Sequence, residues 1–129
     1  ISSLRAKISG PNHMRSRTSY QRGLFAEFLA RAYLRLHGFR IVASRYITGR
    51  NTHRAEIDII ARRGNLLIFV EVKNRRNIQT AFDAITTPQA IRLRRAAETY
   101  ITRTGWVGDA RFDVIAVCGL RIHWIKNSI

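Results

Sequence analysis

Cysteine occurs once in 129 residues, so no disulfide can form within the chain. Cys118 lies in an apolar run and reads as a core thiol in a protein of a reducing compartment, here taken as the cytoplasm. His13, His37, His53 and His123 are isolated from one another and from Cys118, which excludes a structural zinc site of the usual spacing. There is no apolar run of about 18 residues and no secretory apolar core near the start, so no membrane association is expected. Internal repeats, a Gly-rich phosphate loop and a Ser-His-Asp set are also missing. Negative charge is also scarce, with 8 Asp and Glu against 23 Lys and Arg.

The resulting net charge of +15 points to a polyanion as partner, nucleic acid first and DNA above RNA. Only Lys7, Lys73 and Lys126 are lysine, so the surface is overwhelmingly arginine, whose planar fork matches phosphate. A length of 129 residues and an apolar fraction of 46% suit a single globular domain. Residues 1–20, with Gly10, Pro11 and several Ser and Arg, show no periodicity and are expected to form a mobile basic arm before a domain over 21–129. Residues 1–13 fit a tag, an extension or a targeting segment, with Met14 as an alternative start.

The acids that exist are clustered. Glu56, Asp58 and Glu71 fall within Ala55 to Lys73, AEIDIIARRGNLLIFVEVK, where two apolar runs flank Arg63-Gly64-Asn65. That is the pattern of a β-hairpin. With Gly64-Asn65 as the loop, Arg63 faces Leu66, Asp58 lies across from Glu71, and Glu56 across from Lys73, all on one face. A loop longer by one residue would send Asp58 to the other face. Like charges directly opposed, with Cβ atoms roughly 5 Å apart, are destabilising. A divalent cation removes the conflict, and Mg2+ is commonly held by one or two carboxylates plus water and phosphate. Without metal or proton, one of the pair must have its pKa raised. For Glu56 and Lys73 a cross-strand ion pair is an equally good reading. The alternate residues Ile57, Ile59, Ala61, Leu66, Ile68, Val70 and Val72 form an apolar face expected against a core.

Elsewhere, Gln21 to Leu36 reads as a helix with Phe25, Phe28, Leu29, Ala32 and Leu36 inward and Gly38 as its stop. Glu27 on it either pairs with Arg31 one turn on or points toward the hairpin carboxylates. A strand over Phe39 to Ile47 leads into a polar loop, where Arg50, His53 and Arg54 are candidate phosphate contacts. Arg75 and Arg76, just past Lys73, would hold flanking phosphates. Thr80 to Ile85 reads as a short helical turn. Thr87-Pro88 starts a helix to about Arg103, with Thr87 as cap, Ile91, Ala97, Tyr100 and Ile101 inward, and Gln89, Arg92 and Arg95 along one stripe that either lines a substrate groove or is simply solvated. Arg111 to Cys118 and Arg121 to Lys126 are two more strands; Asp113, Trp106 and Trp124 read as structural.

Five segments, Gly23-x-x-Ala26-Glu27, Glu56-Ile57-Asp58-Ile59-Ile60-Ala61, Phe69-Val70-Glu71-Val72-Lys73-x-Arg75, Arg92-Leu93-x-x-Ala96-Ala97 and Arg111-Phe112-Asp113-Val114, carry a resemblance in that order. Together they resemble the YraN-like family of uncharacterised bacterial proteins, within the restriction-endonuclease-like PD-(D/E)xK superfamily. The match covers about Gln21 to Val117; its Glu-x-Lys element is weak alone and the ordered set specific. The resemblance implies an α/β fold with an α-β-β-β-α-β core, a mixed central sheet flanked by helices and a C-terminal strand, similar to Holliday-junction resolvases. It also implies nuclease activity and a homodimer. In that frame Asp58 and Glu71 ligate Mg2+ or Mn2+, Lys73 positions or activates the attacking water, and Glu27 makes an outer contact. Ala55 stands where a glycine is usual, and Gln89 where a lysine is common.

Three functions compete on these residues. The ordered motif favours an endonuclease acting on branched or damaged DNA. Charge alone is satisfied by a non-catalytic nucleic-acid-binding protein or by a basic subunit of a ribonucleoprotein or larger assembly.

Overall fold

The computed structural model describes residues 10–49, 54–83 and 85–129, and the side chains of all of these except 10–18, 82 and 83. The first helix, α1, spans Gly10–Leu36. Half of the segment expected as a mobile arm is therefore helical. After Pro11, which suits a first helical turn, nothing breaks the chain before Gly23, and propagation needs no apolar stripe. Residues 1–9 lie outside the described residues.

The buried face of α1 also differs from the expectation. Ala26, Ala30 and Leu34 are buried, whereas Phe25 and Phe28 are about half exposed and Leu36 is exposed. The stripe of small side chains lets the helix backbone approach the sheet closely, and that contact outweighs the larger area offered by the phenylalanines. Leu29 packs partly against the same cluster.

Five strands form one sheet in sequence order: β1 (Arg40–Thr48), β2 (Ala55–Arg63), β3 (Leu66–Asn74), β4 (Asp109–Cys118) and β5 (Arg121–Ile125). β1-β2, β2-β3 and β4-β5 are antiparallel, while β3-β4 is parallel. The sheet is mixed because the connection from β3 to β4 carries two helices, α2 (Ile78–Asp83) and α3 (Thr87–Thr104), and a crossover of that length returns a strand in the same direction. The α/β architecture expected from the sequence is thus observed, with helices on both sides of the sheet.

The hairpin register matches the two-residue loop: Arg63 pairs with Leu66 and Ile59 with Val70. Gly64 takes φ +59 at the first loop position, while Asn65 is not among the positive-φ residues, as in a II′ turn. One cluster, Ile59, Ala61, Ile68, Val70, Ile115 and Val117, lies under α1. The other, with Ile60, Leu67 and Phe69, lies under Leu93, Ala96 and Ala97 of α3. Ile57, expected with Ile59, instead packs in the α3 cluster with Ala55.

Helix α3 is capped by Thr86, one residue earlier than expected, its side chain accepting the Gln89 N–H at 3.3 Å. Gly105, at φ +70, closes its other end. Ile91 is half exposed, while Tyr100 and Ile101 pack at the margin of the cluster. Cys118, at the end of β4, is only half-buried.

Asp113 on β4 is fully buried yet completely partnered. Arg111 donates to both its oxygens at 2.8 Å, Trp124 Nε1 donates at 2.8 Å, and the Asn127 N–H donates at 2.9 Å. This carboxylate fastens β5 and the tail to β4. Removing it leaves a half-buried guanidinium and two N–H groups without their acceptor. Asp113→Ala is expected to lower stability in urea unfolding by about 3 kcal/mol; a loss under about 0.5 kcal/mol would show that the network is incidental.

Candidate functional site

The β2-β3 ladder stops at Ile59 and Val70. Beyond it β2 stays with β1 to the pair Thr48 and Ala55, and β3 stays with β4 to the pair Asn74 and Val117. The sheet forks, and Asp58 fills the gap: its Oδ2 accepts the Val72 N–H at 2.9 Å, replacing a strand carbonyl. The inward-outward alternation of β2 breaks at the same place, between Ile57 and Ile59. Across from it on β1, between the pairs of Ser44 with Ile59 and Tyr46 with Ile57, Arg45 holds φ +54. A left-handed arginine is locally strained. Its guanidinium turns to Glu27 on α1, 3.2 Å away.

Glu71 is on the α3 side of β3, as are Leu67 and Phe69, four and two residues before it. It is 7% exposed. Gln89 Nε2, on the first turn of α3, donates to Glu71 Oε2 at 2.9 Å. Burial, then a hydrogen bond to Asp58 and the Asp58 charge, push the Glu71 carboxyl up to about 9, with Lys73 opposing and Glu56 reinforcing the shift. At neutral pH Glu71 therefore keeps its proton and donates it to Asp58, which resolves the repulsion between them.

A cavity of about 230 Å³ opens over this pair, walled by Arg54, Glu56, Gln89, Arg92 and Leu93. Lys73, the next residue on this side of β3, is half-buried and forms no ion pair with a described residue. Glu56 and Lys73 accordingly do not pair. Of the other sequence-selected residues, Glu27 pairs with Arg45 rather than Arg31 and does not line the cavity. Arg75 and Arg76 face a separate cleft on the α1 side. Arg95 borders a third depression with Glu98, Thr99 and Arg103, so the Gln89, Arg92, Arg95 stripe divides after Arg92. Arg50 and His53 lie outside the described residues. Arg45 carries no sequence signal, because its backbone conformation is set by the fork. Gln89 does: a donor on the first turn of a Thr-capped helix is placed to meet the end of a strand beneath it.

Among the described residues no group of three or more His, Cys, Asp or Glu gathers as a metal cage. Asp58 and Glu71 supply two adjacent sets of carboxyl oxygens, and donors of that kind fit Mg2+ or Mn2+, which keeps water and phosphate as its remaining ligands. No described helix is long and apolar enough to cross a membrane.

The proton on Glu71 makes stability depend on pH. Its ordinary value of 4.5 in the unfolded chain rises to about 9 on folding, so the folded state binds the extra proton between them. Stability from this group is complete below about 4.5 and drains away as pH rises to about 9. In chelator, the urea midpoint is expected to fall across that window, and Glu71→Gln, which keeps a neutral donor, to flatten the fall. An unchanged slope in the variant would assign the dependence elsewhere.

The model of the Uncharacterised protein family UPF0102 matches residues 26–117, which span Glu27, Asp58, Glu71, Lys73, Gln89 and Arg92. UPF0102 protein mlr4633 of Mesorhizobium japonicum is 44% identical over 114 residues, 85% of this chain and 87% of its own. UPF0102 protein amb4503 of Paramagnetospirillum magneticum is 36% identical over 116 residues, 88% of this chain and 90% of its own. UPF0102 protein RHECIAT_CH0000358 of Rhizobium etli is 37% identical over 108 residues, 82% and 85% of the two chains. A match over most of the chain, together with the ordered motifs, makes this protein a member of the UPF0102, YraN-like, family.

Proposed function

We propose that this protein is a Mg2+- or Mn2+-dependent endonuclease that hydrolyses phosphodiester bonds in DNA, with branched or damaged DNA as its substrate class. The carrying observation is the pair at the fork: two carboxylates, one of them protonated up to about 9, beside a half-buried lysine in a chain of net charge +15. Asp58 and Glu71 would hold the cation, which when bound would polarise a phosphoryl oxygen and lower the pKa of a water. Lys73 contributes a point charge that orients the attacking water and steadies the charge growing on phosphorus. Gln89 holds Glu71 in its rotamer, and Arg54 and Arg92 on the cavity wall bind the flanking phosphate oxygens. Glu27 acts at a distance by tying Arg45, opposite Asp58, to α1. A homodimer and a cytoplasmic location belong to the same reading.

Charge alone also supports a nucleic-acid-binding module without catalysis, and one experiment separates the two. Branched and linear DNA are incubated with the protein and Mg2+ or Mn2+. Cleavage that falls at least about 100-fold in Asp58→Ala, Glu71→Ala and Lys73→Ala is expected. Cleavage undiminished in those variants rules out this site. Salt-sensitive binding with no cleavage in either metal leaves the binding module.

A further inference from the structure

On the α1 side of the sheet, at the carboxyl ends of β3 and β4, lies a cleft of about 530 Å³. Ser19, Arg22 and Gly23 of α1 form one wall, and Asn74, Arg75 and Arg76 the other. Among the described residues no carboxylate lines it. The arginines of described ion pairs are Arg45, held by Glu27, and Arg111, held by Asp113; the three guanidiniums of this cleft have no such partner among the described residues. Arg75 is nonetheless held in place: it is half-buried, its backbone N–H donates to Val117 O at 3.2 Å, and its Nη1 donates to Asn74 O at 2.8 Å. Three like charges gathered with no described carboxylate between them repel one another, and an anion placed there reverses the sign of that interaction.

Gly23 supplies an independent observation. A glycine inside a helix is destabilising relative to alanine. Here neither backbone nor packing requires it, since Gly23 is not among the positive-φ glycines and a Cβ built on it meets nothing within 4 Å. What the missing side chain leaves is open space on the cleft wall, beside Arg22.

We infer that this cleft binds the phosphodiester backbone of nucleic acid, independently of metal, with Arg22, Arg75 and Arg76 as its phosphate contacts and Gly23 as the bare wall that lets the strand approach. Guanidinium, hydroxyl and amide donors are the groups that contact phosphate oxygens. A polymer is favoured over a free anion because of where the cleft sits. Arg75 directly follows the last residue of β3, four residues past Glu71, roughly 13 Å at the rise of an extended chain. A backbone lying on the carboxylate cavity passes the end of β3 and reaches this cleft on the other face. The inference rests on the nucleic-acid half of the proposed function and not on cleavage.

The test uses the full chain, a fluorescent DNA duplex and chelator, with affinity read by anisotropy over a salt series. Arg22→Ala/Arg76→Ala is expected to weaken binding at least about 10-fold and to reduce the log–log salt slope by about two, since each arginine neutralises one phosphate. Gly23→Leu, which removes no charge and fills the cleft, is expected to weaken binding without lowering Tm. Arg35→Ala/Arg40→Ala removes the same charge from the far end of the sheet and is expected to stay within about 2-fold of the parent. Equal losses in both arginine pairs, or parental binding by a folded Gly23→Leu, would overturn the cleft while leaving the nuclease reading intact. A parent chain that binds no DNA in chelator defeats the inference, whereas cleft-dependent binding without cleavage supports it and removes only the catalytic reading.

Discussion

A single side chain takes the place of a main-chain partner at the centre of this fold. Where β2 and β3 part, the Val72 N–H would face an empty fork, and the Asp58 carboxylate accepts it instead. The Val72 N–H is part-buried and would otherwise lose its strand partner, so the bond ties Asp58 to the sheet. Glu71 follows on the neighbouring strand, buried and within reach of the same carboxylate. Burial, the hydrogen bond to the half-buried Asp58 and the charge of Asp58 together keep Glu71 protonated up to about 9.

The remainder of the architecture keeps the fork open and the pair aligned. β2 is retained by β1 and β3 by β4, each through ladders that run past the fork, so neither strand can close the gap without giving up its other neighbour. Helix α3 is started by Thr86, and its first turn delivers Gln89 to Glu71. On the opposite face the alanines of α1 let the helix lie close to Val70 and Ile68. Its Glu27 anchors Arg45, the strained residue across from Asp58. Distant elements therefore act on two carboxylates through one strand end each.

What is legible in the sequence is local. The hairpin and its register follow from Gly64 between two alternating runs, and the helix start from Thr and Pro; both depend on residues adjacent in the chain. The family follows from five ordered segments. The face of α1 does not, because phenylalanines count for more by area, whereas the sheet selects the row of Ala26, Ala30 and Leu34 that allows close approach. Ile57 departs from its expected side because strict alternation fails at the fork, where the chain twists. The helical stretch before Gln21 leaves no periodic trace because a helix can propagate without an apolar face. Arg45 and the Asp58 to Val72 bond depend on where the ladder ends, which is a property of three strands together and not of any one segment.

In the proposed nuclease, a divalent cation would displace the proton that Glu71 holds against Asp58. Isothermal titration with Mn2+ near neutral pH, repeated in two buffers of different ionisation enthalpy, reads that exchange. The expected result is saturable binding with release of about one proton per cation, abolished in Asp58→Ala. Binding without proton release, or binding that persists in Asp58→Ala, would take the cation away from this pair.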